Sequence, residues 1–244
     1  MFLAENCLEH FTEDWEDIFE RIRFADMRRS LKEITLRLIL LFAGLVIAHL
    51  GVTLFLLTEL GADPFNVFVQ GIFRTLSRGV RLLTHGYTHV SICIIIILVL
   101  LVIDRSYIKI GTVVCMVFGG PIIDFFTRLF DGVIHSGNPF AMRILTLAAG
   151  CVILAFGMTI VIKSDAGTGP NDLVAIVISD KLSKPFGRVR IIVDFCFVAI
   201  GFFLGGAVGV GTIISAFLVG PIAGVFLPFS ERIVDRVISA ADSK

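Results

Sequence analysis

The sequence predicts an all-α, polytopic membrane protein built from two homologous repeats of four helices each, three long and one short. The 244 residues are 56% hydrophobic and only 17% charged, whereas soluble domains average about 25% charged residues. Six apolar runs approach the roughly 20 residues that cross a bilayer as a helix. Matching segments also recur in the two halves of the chain. This composition excludes a disordered chain, a nucleic-acid-binding protein and an ordinary soluble enzyme.

The apolar runs give the long helices, and two shorter segments follow the first and the fourth run. Pro64 and Pro170 open these short segments, 64–78 and 170–183, at the first helical position, where the missing proline N–H costs nothing. Residues 1–33 carry apolar side chains at helical spacing among acidic ones, which fits an interfacial amphipathic helix or a solvated helical cap. The long runs are 34–58, 88–104, 110–130, 144–162, 190–209 and 211–229.

The two halves match when one is shifted along the other. A shift of 106 residues aligns 36–77 with 142–183 and pairs arginines, glycines and prolines as well as aliphatic residues. A shift of 100 residues aligns a Gly-Thr…Gly-Pro-Ile element at Gly111 with one at Gly211. Chance similarity between apolar runs explains matched Gly, Pro and Arg poorly. We therefore predict a first membrane repeat over 34–131, a second over 142–230 and a tail over 231–244.

The basic residues indicate which ends of the helices face the cytoplasm. If both short segments cross the membrane, 18 of the 21 Lys and Arg residues lie on one side of eight spans. If the short segments enter and return, the division is 16 against 5. The positive-inside rule favours eight spans with both termini in the cytoplasm, which makes the repeats parallel, with a pseudo-twofold relation. Because charge is costly in lipid, four basic residues are expected at the cytoplasmic interface: Lys181, Lys184, Arg188 and Arg190.

The short helices are expected to begin below the membrane surface. Pro170 to Leu182 spans about 20 Å and the hydrocarbon is about 30 Å thick, so each short helix starts about 10 Å below the outer surface. Irregular chain at that depth is tolerated only inside protein or beside a wet cavity. Short segments interrupted by Gly and Pro at matching positions point to a transporter site. The helix-start residues are Gly61, Pro64, Gly167, Gly169 and Pro170.

Polar side chains around these helix starts are predicted to contact a solute. Asp63 is also a natural N-cap, and Asp172 lies in the first turn of its helix, so capping accounts for both carboxylates as well as ligand contact does. The acidic surroundings favour a cation, a zwitterion or a proton over an anion. The predicted solute-binding residues are Glu59, Asp63, Asn66, Gln70, Asp165, Asn171 and Asp172.

Three ionisable residues interrupt apolar runs and are candidates for proton coupling. Asp124 follows Gly119-Gly120-Pro121, which is expected to break or kink its helix. Asp194 lies four residues after Arg190, so it is expected near the interface, paired with that arginine. His49 lies in mid-span, where a core histidine bonded to a neighbouring carbonyl is the favoured interpretation. The five scattered cysteines show no metal or disulfide spacing, and no cofactor is expected.

Two short elements carry a resemblance to a known family. The Gly-Ala-Asp-Pro-Phe-Asn element that ends at Asn66 and the Gly-Thr-Gly-Pro-Asn-Asp element that ends at Asp172 resemble one found in the YczE/YyaS/YitT family of bacterial integral membrane proteins. The likeness covers about residues 34–230. No soluble C-terminal domain of the YitT kind follows, which favours the YczE branch. The resemblance implies a bacterial plasma-membrane protein and supplies no catalytic or substrate residues.

Together these features predict a secondary transporter of a small polar or cationic solute. An enzyme is not expected, because the sequence offers no Ser/His/Asp arrangement and no carboxylate pair with a base partner. The alternative is a non-transporting membrane scaffold or regulator that binds a partner through its N-terminal helix. The expected partners are the lipid bilayer and a small-molecule solute, with no nucleic acid.

Overall fold

The computed structural model describes residues 30–77, 85–130, 132–135 and 137–242, and this part of the chain confirms the all-α prediction. It contains a 3-10 helix at Arg105–Tyr107 and eight α-helices: α1 (Leu31–Leu57), α2 (Pro64–Leu76), α3 (His85–Ile103), α4 (Ile110–Leu129), α5 (Phe140–Ser164), α6 (Pro170–Leu182), α7 (Phe186–Phe203) and α8 (Val210–Asp242). By length and composition, four of them are able to cross a membrane: α1, α4, α5 and α8.

The two short helices begin where their prolines predict. α2 starts at Pro64, and Asp63 is its N-cap, because the Asp63 carboxylate accepts a hydrogen bond from the Asn66 backbone N–H at 3.2 Å. α6 starts at Pro170 with Gly169 at the N-cap position. A proline at the first helical position leaves no backbone donor unsatisfied, so the sequence fixes both starts locally.

Other expectations about the elements differ from the structure or fall outside it. α4 continues through Pro121 as one helix, so of the break or kink expected there, the break is wrong. Proline is tolerated in membrane helices because neighbouring groups satisfy the freed backbone carbonyl. α8 runs across the predicted boundary at residue 230 as one helix. The helix predicted over 1–33 lies outside the described residues, except for residues 30–33 at the start of α1.

α1 and α5 pack along their length as the central pair of the fold. A Cβ atom built on Gly44 would lie 3.0 Å from the Gly157 carbonyl oxygen, and one built on Gly150 would lie 2.8 Å from the Gly51 carbonyl oxygen. A larger residue at either position would force the opposite backbone to move. The four glycines therefore allow the two backbones to touch, as small residues do at helix crossings in membranes.

Contacts at the ends of α1 and α5 show their relative direction. Arg37, near the start of α1, donates from Nη1 to the Ser164 carbonyl oxygen at the end of α5, at 2.9 Å. Arg143, in the first turn of α5, donates from Nε to the Thr58 carbonyl oxygen just past α1, at 2.8 Å. The start of each helix thus meets the end of the other, so α1 and α5 are antiparallel.

This antiparallel pairing overturns the expected parallel arrangement of the two halves. If each of eight helices crossed once, α1 and α5 would run in the same direction, because helices two or four places apart in such a chain are parallel. The favoured eight-span topology is therefore wrong. The observed directions fit the other topology that the sequence allowed, in which α2 and α6 enter and return.

The remaining contacts agree with short helices that return. α8 runs parallel to α5, since Leu147 packs on Gly211 near both starts and Lys163 pairs with Glu231 further along, at 2.8 Å. The Lys163–Glu231 pair also places the later part of α8 at the same end of the core as the start of α1. The two ends of the described chain therefore lie on one side of the fold.

α7 links the long helices to the first short helix. It runs antiparallel to α8, as the packing of Gly187 on Gly220 and of Phe195 on Phe217 shows. α2 runs parallel to α7, because Phe65 contacts Phe197 and, further along, Arg74 donates to the carbonyl oxygen of Gly205. α2 therefore points in the same direction as α1, so the chain between them has to turn back into the protein before α2 begins.

Candidate functional site

A buried ion-pair cluster, formed by Asp172, Arg190 and Asp194, joins α6 to α7. Arg190 Nη1 donates to Asp172 Oδ1 at 2.5 Å, and Arg190 Nε donates to Asp194 Oδ2 at 3.0 Å. The Asp172, Arg190 and Asp194 side chains are only 19%, 10% and 2% exposed. One guanidinium is thus shared between two carboxylates, and charges placed this deep in a membrane protein typically mark functional positions.

Arg190 differs in burial from the other three basic residues that were expected at the interface. Lys181, Lys184 and Arg188 are exposed, whereas the Arg190 side chain is buried against neighbouring helices. The two carboxylates offset the cost of removing its charge from water. The predicted pairing of Arg190 with Asp194 is confirmed, although the pair lies in the interior. The four-residue spacing of an arginine and an aspartate on an apolar helix is the signal that could have located the cluster.

Asp194 also has a carboxylate oxygen that no neighbouring group satisfies. Its Oδ1 atom is buried and accepts no hydrogen bond from the part of the chain that the structure describes. Buried polar atoms almost always have a partner, so this oxygen is open to a proton or a ligand. Two buried hydroxyls, Thr112 Oγ1 and Thr168 Oγ1, are likewise unpartnered within the described ranges, near the contact of Gly167 with Thr112.

The starts of α2 and α6 lie close to the ion-pair cluster. Asp63 and Asp172 are both within electrostatic range of Asp194. The two oxygens of Asp63 accept from the Asn66 backbone N–H and, at 2.5 Å, from Asn66 Nδ2. Asn171 Nδ2 donates to Asp172 Oδ1 at 3.1 Å. Four predicted solute-binding residues therefore stand near Asp194, and Asp63 serves as a helix cap at the same time.

Three other predicted solute-binding residues lie at helix ends or in contacts between segments of the chain. Glu59 is exposed and follows α1 in the left-handed conformation (φ 50°). Asp165 ends α5 in the same conformation (φ 54°), and Lys109 Nζ binds both its carboxylate and, at 3.1 Å, its carbonyl oxygen. Gln70 Oε1 accepts from the Ala207 backbone N–H at 2.6 Å and ties α2 to the segment before α8.

The helix-start glycines give both halves the same backbone shape. Gly61 and Gly167 both have positive φ, at 146° and 129°, which side chains rarely adopt. Each is followed three residues later by the proline that begins the short helix, Pro64 or Pro170. A glycine with positive φ therefore precedes both short helices at matching positions of the sequence.

The remaining proton-coupling candidates differ in their surroundings. His49 Nδ1 lies 2.8 Å from the Leu45 carbonyl oxygen, the bonding favoured from the sequence, and the ring lies beside Gly119. His49 is also within electrostatic range of Asp172. Asp124 is exposed on α4, where it lines an open groove of about 530 Å³ with Arg128, outside the ion-pair cluster.

The chemistry of the site is that of charge and hydrogen bonding. Asp172 and Asp194 share the Arg190 guanidinium, and Asp63 lies within electrostatic range of Asp194. Two side-chain amides, those of Asn66 and Asn171, bind the Asp63 and Asp172 carboxylates. Within the described ranges, His, Cys, Asp and Glu side chains form no group of three or more that could hold a metal ion. The arrangement is suited to binding a positively charged group and to taking up or releasing a proton.

Comparison with known proteins agrees with the membrane architecture. The model of a family of unknown function, DUF6198, matches residues 35–228. The chain is 27% identical over 209 residues to the uncharacterised membrane protein YczE of Bacillus subtilis, covering 85% of this chain and 93% of YczE. It is 24% identical over 190 residues to the uncharacterised protein YyaS of the same organism, covering 78% and 91% of the two chains. An uncharacterised Haemophilus influenzae protein is 26% identical over 195 residues, covering 80% and 84%.

No solved structure matches the chain. The family match spans most of the membrane region, from within α1 to within α8, and therefore includes the ion-pair cluster and both helix starts. The resemblance to YczE-like proteins that the helix-start elements predicted is confirmed. This chain belongs to DUF6198, a family of unknown function, and is similar to the membrane protein YczE.

Proposed function

We propose that this protein is a secondary transporter of a small polar or cationic solute, with a central site between the starts of α2 and α6. The observation that carries the proposal is the antiparallel pairing of α1 with α5, two helices whose sequences match. Many transporters consist of matched halves in opposite orientation, with the substrate site at discontinuous helices near the membrane midplane. Such a protein acts by binding and conformational change, without covalent catalysis.

Reciprocal contacts between the halves support an inverted repeat. Arg37 and Arg143 occupy matching positions, and each binds a helix-end carbonyl of the other half. A twofold axis generates this kind of exchange, in which each half gives the other the contact that it receives. Backbone N–H groups at the starts of α4 and α8 make the same exchange: Gly111 to the Ala166 carbonyl at 2.8 Å and Gly211 to the Leu60 carbonyl at 2.9 Å.

The charge distribution supports an orientation in the membrane. Arg37 and Thr58 are about 30 Å apart along α1 at 1.5 Å per residue, which is about the hydrocarbon thickness. With α2 and α6 returning, 16 of the 21 Lys and Arg residues belong to the end that holds Arg37 and Ser164. The positive-inside rule places that end in the cytoplasm. Both termini then lie on the cytoplasmic side of a bacterial plasma membrane.

The charges of the site favour a cationic group on the solute. Asp63, Asp172 and Asp194 carry three formal negative charges against the single positive charge of Arg190. Asp172 is the more accessible carboxylate of the ion-pair cluster, so we assign it the direct contact with the solute. The amides of Asn66 and Asn171, which bind the adjacent carboxylates, add hydrogen-bonding groups for neutral parts of the solute.

The proposed motion is a rocking of one half against the other about the glycine crossing of α1 and α5. The arginine contacts at the two ends of this pair, Arg37 with Ser164 and Arg143 with Thr58, then strengthen and weaken in alternation. The site between α2 and α6 would open first to one side and then to the other, as alternating access requires.

A two-step experiment tests the proposal. Purified protein is first screened by thermal shift against amino acids, amines and organic acids, because a ligand that binds the native state stabilises it, by about 2.7 kcal/mol at 100 times its Kd. Uptake of a stabilising compound is then measured in proteoliposomes. We expect Asp63→Asn combined with Asp172→Asn to abolish uptake while the protein remains folded.

The matched control is Asp124→Asn, which removes an exposed carboxylate outside the ion-pair cluster and should leave uptake unchanged. Normal uptake by the double variant would reject the proposed site. If none of the compounds stabilised the protein, and none entered the vesicles, the transporter proposal would fail.

A further inference from the structure

We propose that Asp194 holds a proton that a monovalent cationic solute displaces, so that the transporter exchanges one cation for one proton. The inference rests on the proposed function and adds the coupling ion to it. It starts from two observations: Arg190 is divided between two carboxylates, and Asp194 Oδ1 is buried without a hydrogen-bond partner in the described chain.

The first step of the argument is the geometry of Arg190. It gives one N–H to Asp172 and one to Asp194. A guanidinium binds a single carboxylate best through two parallel hydrogen bonds, and Arg190 can add a second one to Asp194 from Nη2 while Nη1 stays on Asp172. When Asp194 carries a proton, its attraction for Arg190 is weak, and the guanidinium charge serves mainly Asp172. When Asp194 is ionised, the two carboxylates share that charge, so Asp172 attracts another cation more strongly.

The second step is the charge around Asp194. Arg190 lies on its own helix, Asp172 faces it from α6, and Asp63 is within range from the start of α2. Residues 210–230 of α8, which packs on α7, contain no ionisable side chain. His49 on α1 and Cys115 on α4 are within electrostatic range of Asp172. The three carboxylates and the one guanidinium have a formal net charge of −2. A proton on Asp194 or a cation bound to Asp172 would each neutralise one of these two negative charges.

The exchange balances in charge and in atoms. A cationic group binds Asp172, Arg190 strengthens its contact with Asp194, and the bond between Asp194 Oδ1 and its proton breaks. The electron pair stays on the oxygen and the proton passes to water. One positive charge enters the site and one leaves. The difference in exposure, 19% for Asp172 against 2% for Asp194, separates the solute-facing carboxylate from the proton-binding one.

The test uses methylguanidinium as the probe, because its end group matches the guanidinium that Asp172 already binds. Binding to the purified full-length protein is measured by calorimetry in two buffers of different ionisation enthalpy, which gives the number of protons released. We expect up to one proton per bound cation. We also expect the Kd for methylguanidinium to rise about tenfold for each unit by which the pH falls below the range in which Asp194 titrates.

Variants separate the two roles within the ion-pair cluster. Asp194→Asn should bind methylguanidinium with an affinity independent of pH and release no proton, whereas Asp172→Asn should not bind it. Asp235→Asn, which removes an exposed carboxylate on α8, is the matched control and should behave as the wild type. Size-exclusion chromatography identifies any variant that has lost its fold, and Asp194→Glu, which keeps the titratable group, should then retain proton release.

Three results would overturn the inference. They are proton release that persists in Asp194→Asn, wild-type affinity that is constant from about pH 5 to 8, and no binding of methylguanidinium by the wild type. None of them would decide the transporter proposal, which is tested by uptake of a compound chosen in the thermal-shift screen. Uptake without any proton movement would retain the transporter and remove the exchange.

Discussion

Replacing Arg190 by glutamine should destabilise the protein strongly, because it leaves two carboxylates in the interior without their shared cation. Removing one partner of a buried ion pair lowers the free energy of unfolding by about 3–5 kcal/mol. Arg190 and Asp194 are both buried, at 10% and 2% exposure, so water screens little of this cost. The glutamine amide can still donate to one carboxylate and recover about 1.5 kcal/mol. The net loss is therefore about 1.5–3.5 kcal/mol.

The assay is thermal unfolding in detergent, followed by intrinsic fluorescence or loss of soluble protein. A chain of this length loses about 2–4 °C of Tm per kcal/mol, so Arg190→Gln should lower the Tm by roughly 3–14 °C. Adding Asp194→Asn removes one of the stranded charges and should recover about 1 kcal/mol or more of that loss. Two results would refute the reasoning. One is an unfolding free energy of Arg190→Gln within about 0.5 kcal/mol of the wild-type value, and the other is a double variant whose loss equals the sum of the losses of the two single variants.

Two further predictions test the core and the topology. Gly150→Ala should cost about 1–3 kcal/mol, because its Cβ would press on the Gly51 carbonyl oxygen, whereas Gly120→Ala, which meets no atom within 4 Å, should unfold like wild type. In a background without native cysteines, Ser30→Cys and His135→Cys should react with an impermeant maleimide from opposite sides of the membrane. Labelling of both from one side would contradict the antiparallel pairing.

The sequence was sufficient for the features that depend on neighbouring residues. The prolines at 64 and 170 fix φ and mark the starts of α2 and α6, and Asp63 caps α2 because its side chain reaches the Asn66 N–H. The small residues of α1 and α5 likewise allow the close crossing that the structure contains. These effects follow from residue type and from neighbours in the sequence, so they are the same in either of the two topologies.

The features that depend on distant contacts were predicted less well. The contact of Arg190 with Asp172 was not predicted, because Asp172 lies on another helix, 18 residues earlier in the chain. The parallel arrangement was wrong because it assumed that each helix crosses the membrane, although 13 residues are short for that purpose. The contacts of Arg37 and Arg143 resolve the direction, and their carbonyl partners have no sequence signature of their own.

The exchanged arginine contacts have a consequence for the independence of the two halves. Neither half contains the arginine that closes its own first helix: Thr58 depends on Arg143, and Ser164 depends on Arg37. Expressed alone, either half would leave the carbonyl at the end of that helix without its arginine. Two separately expressed halves are therefore expected to need each other in order to remain folded.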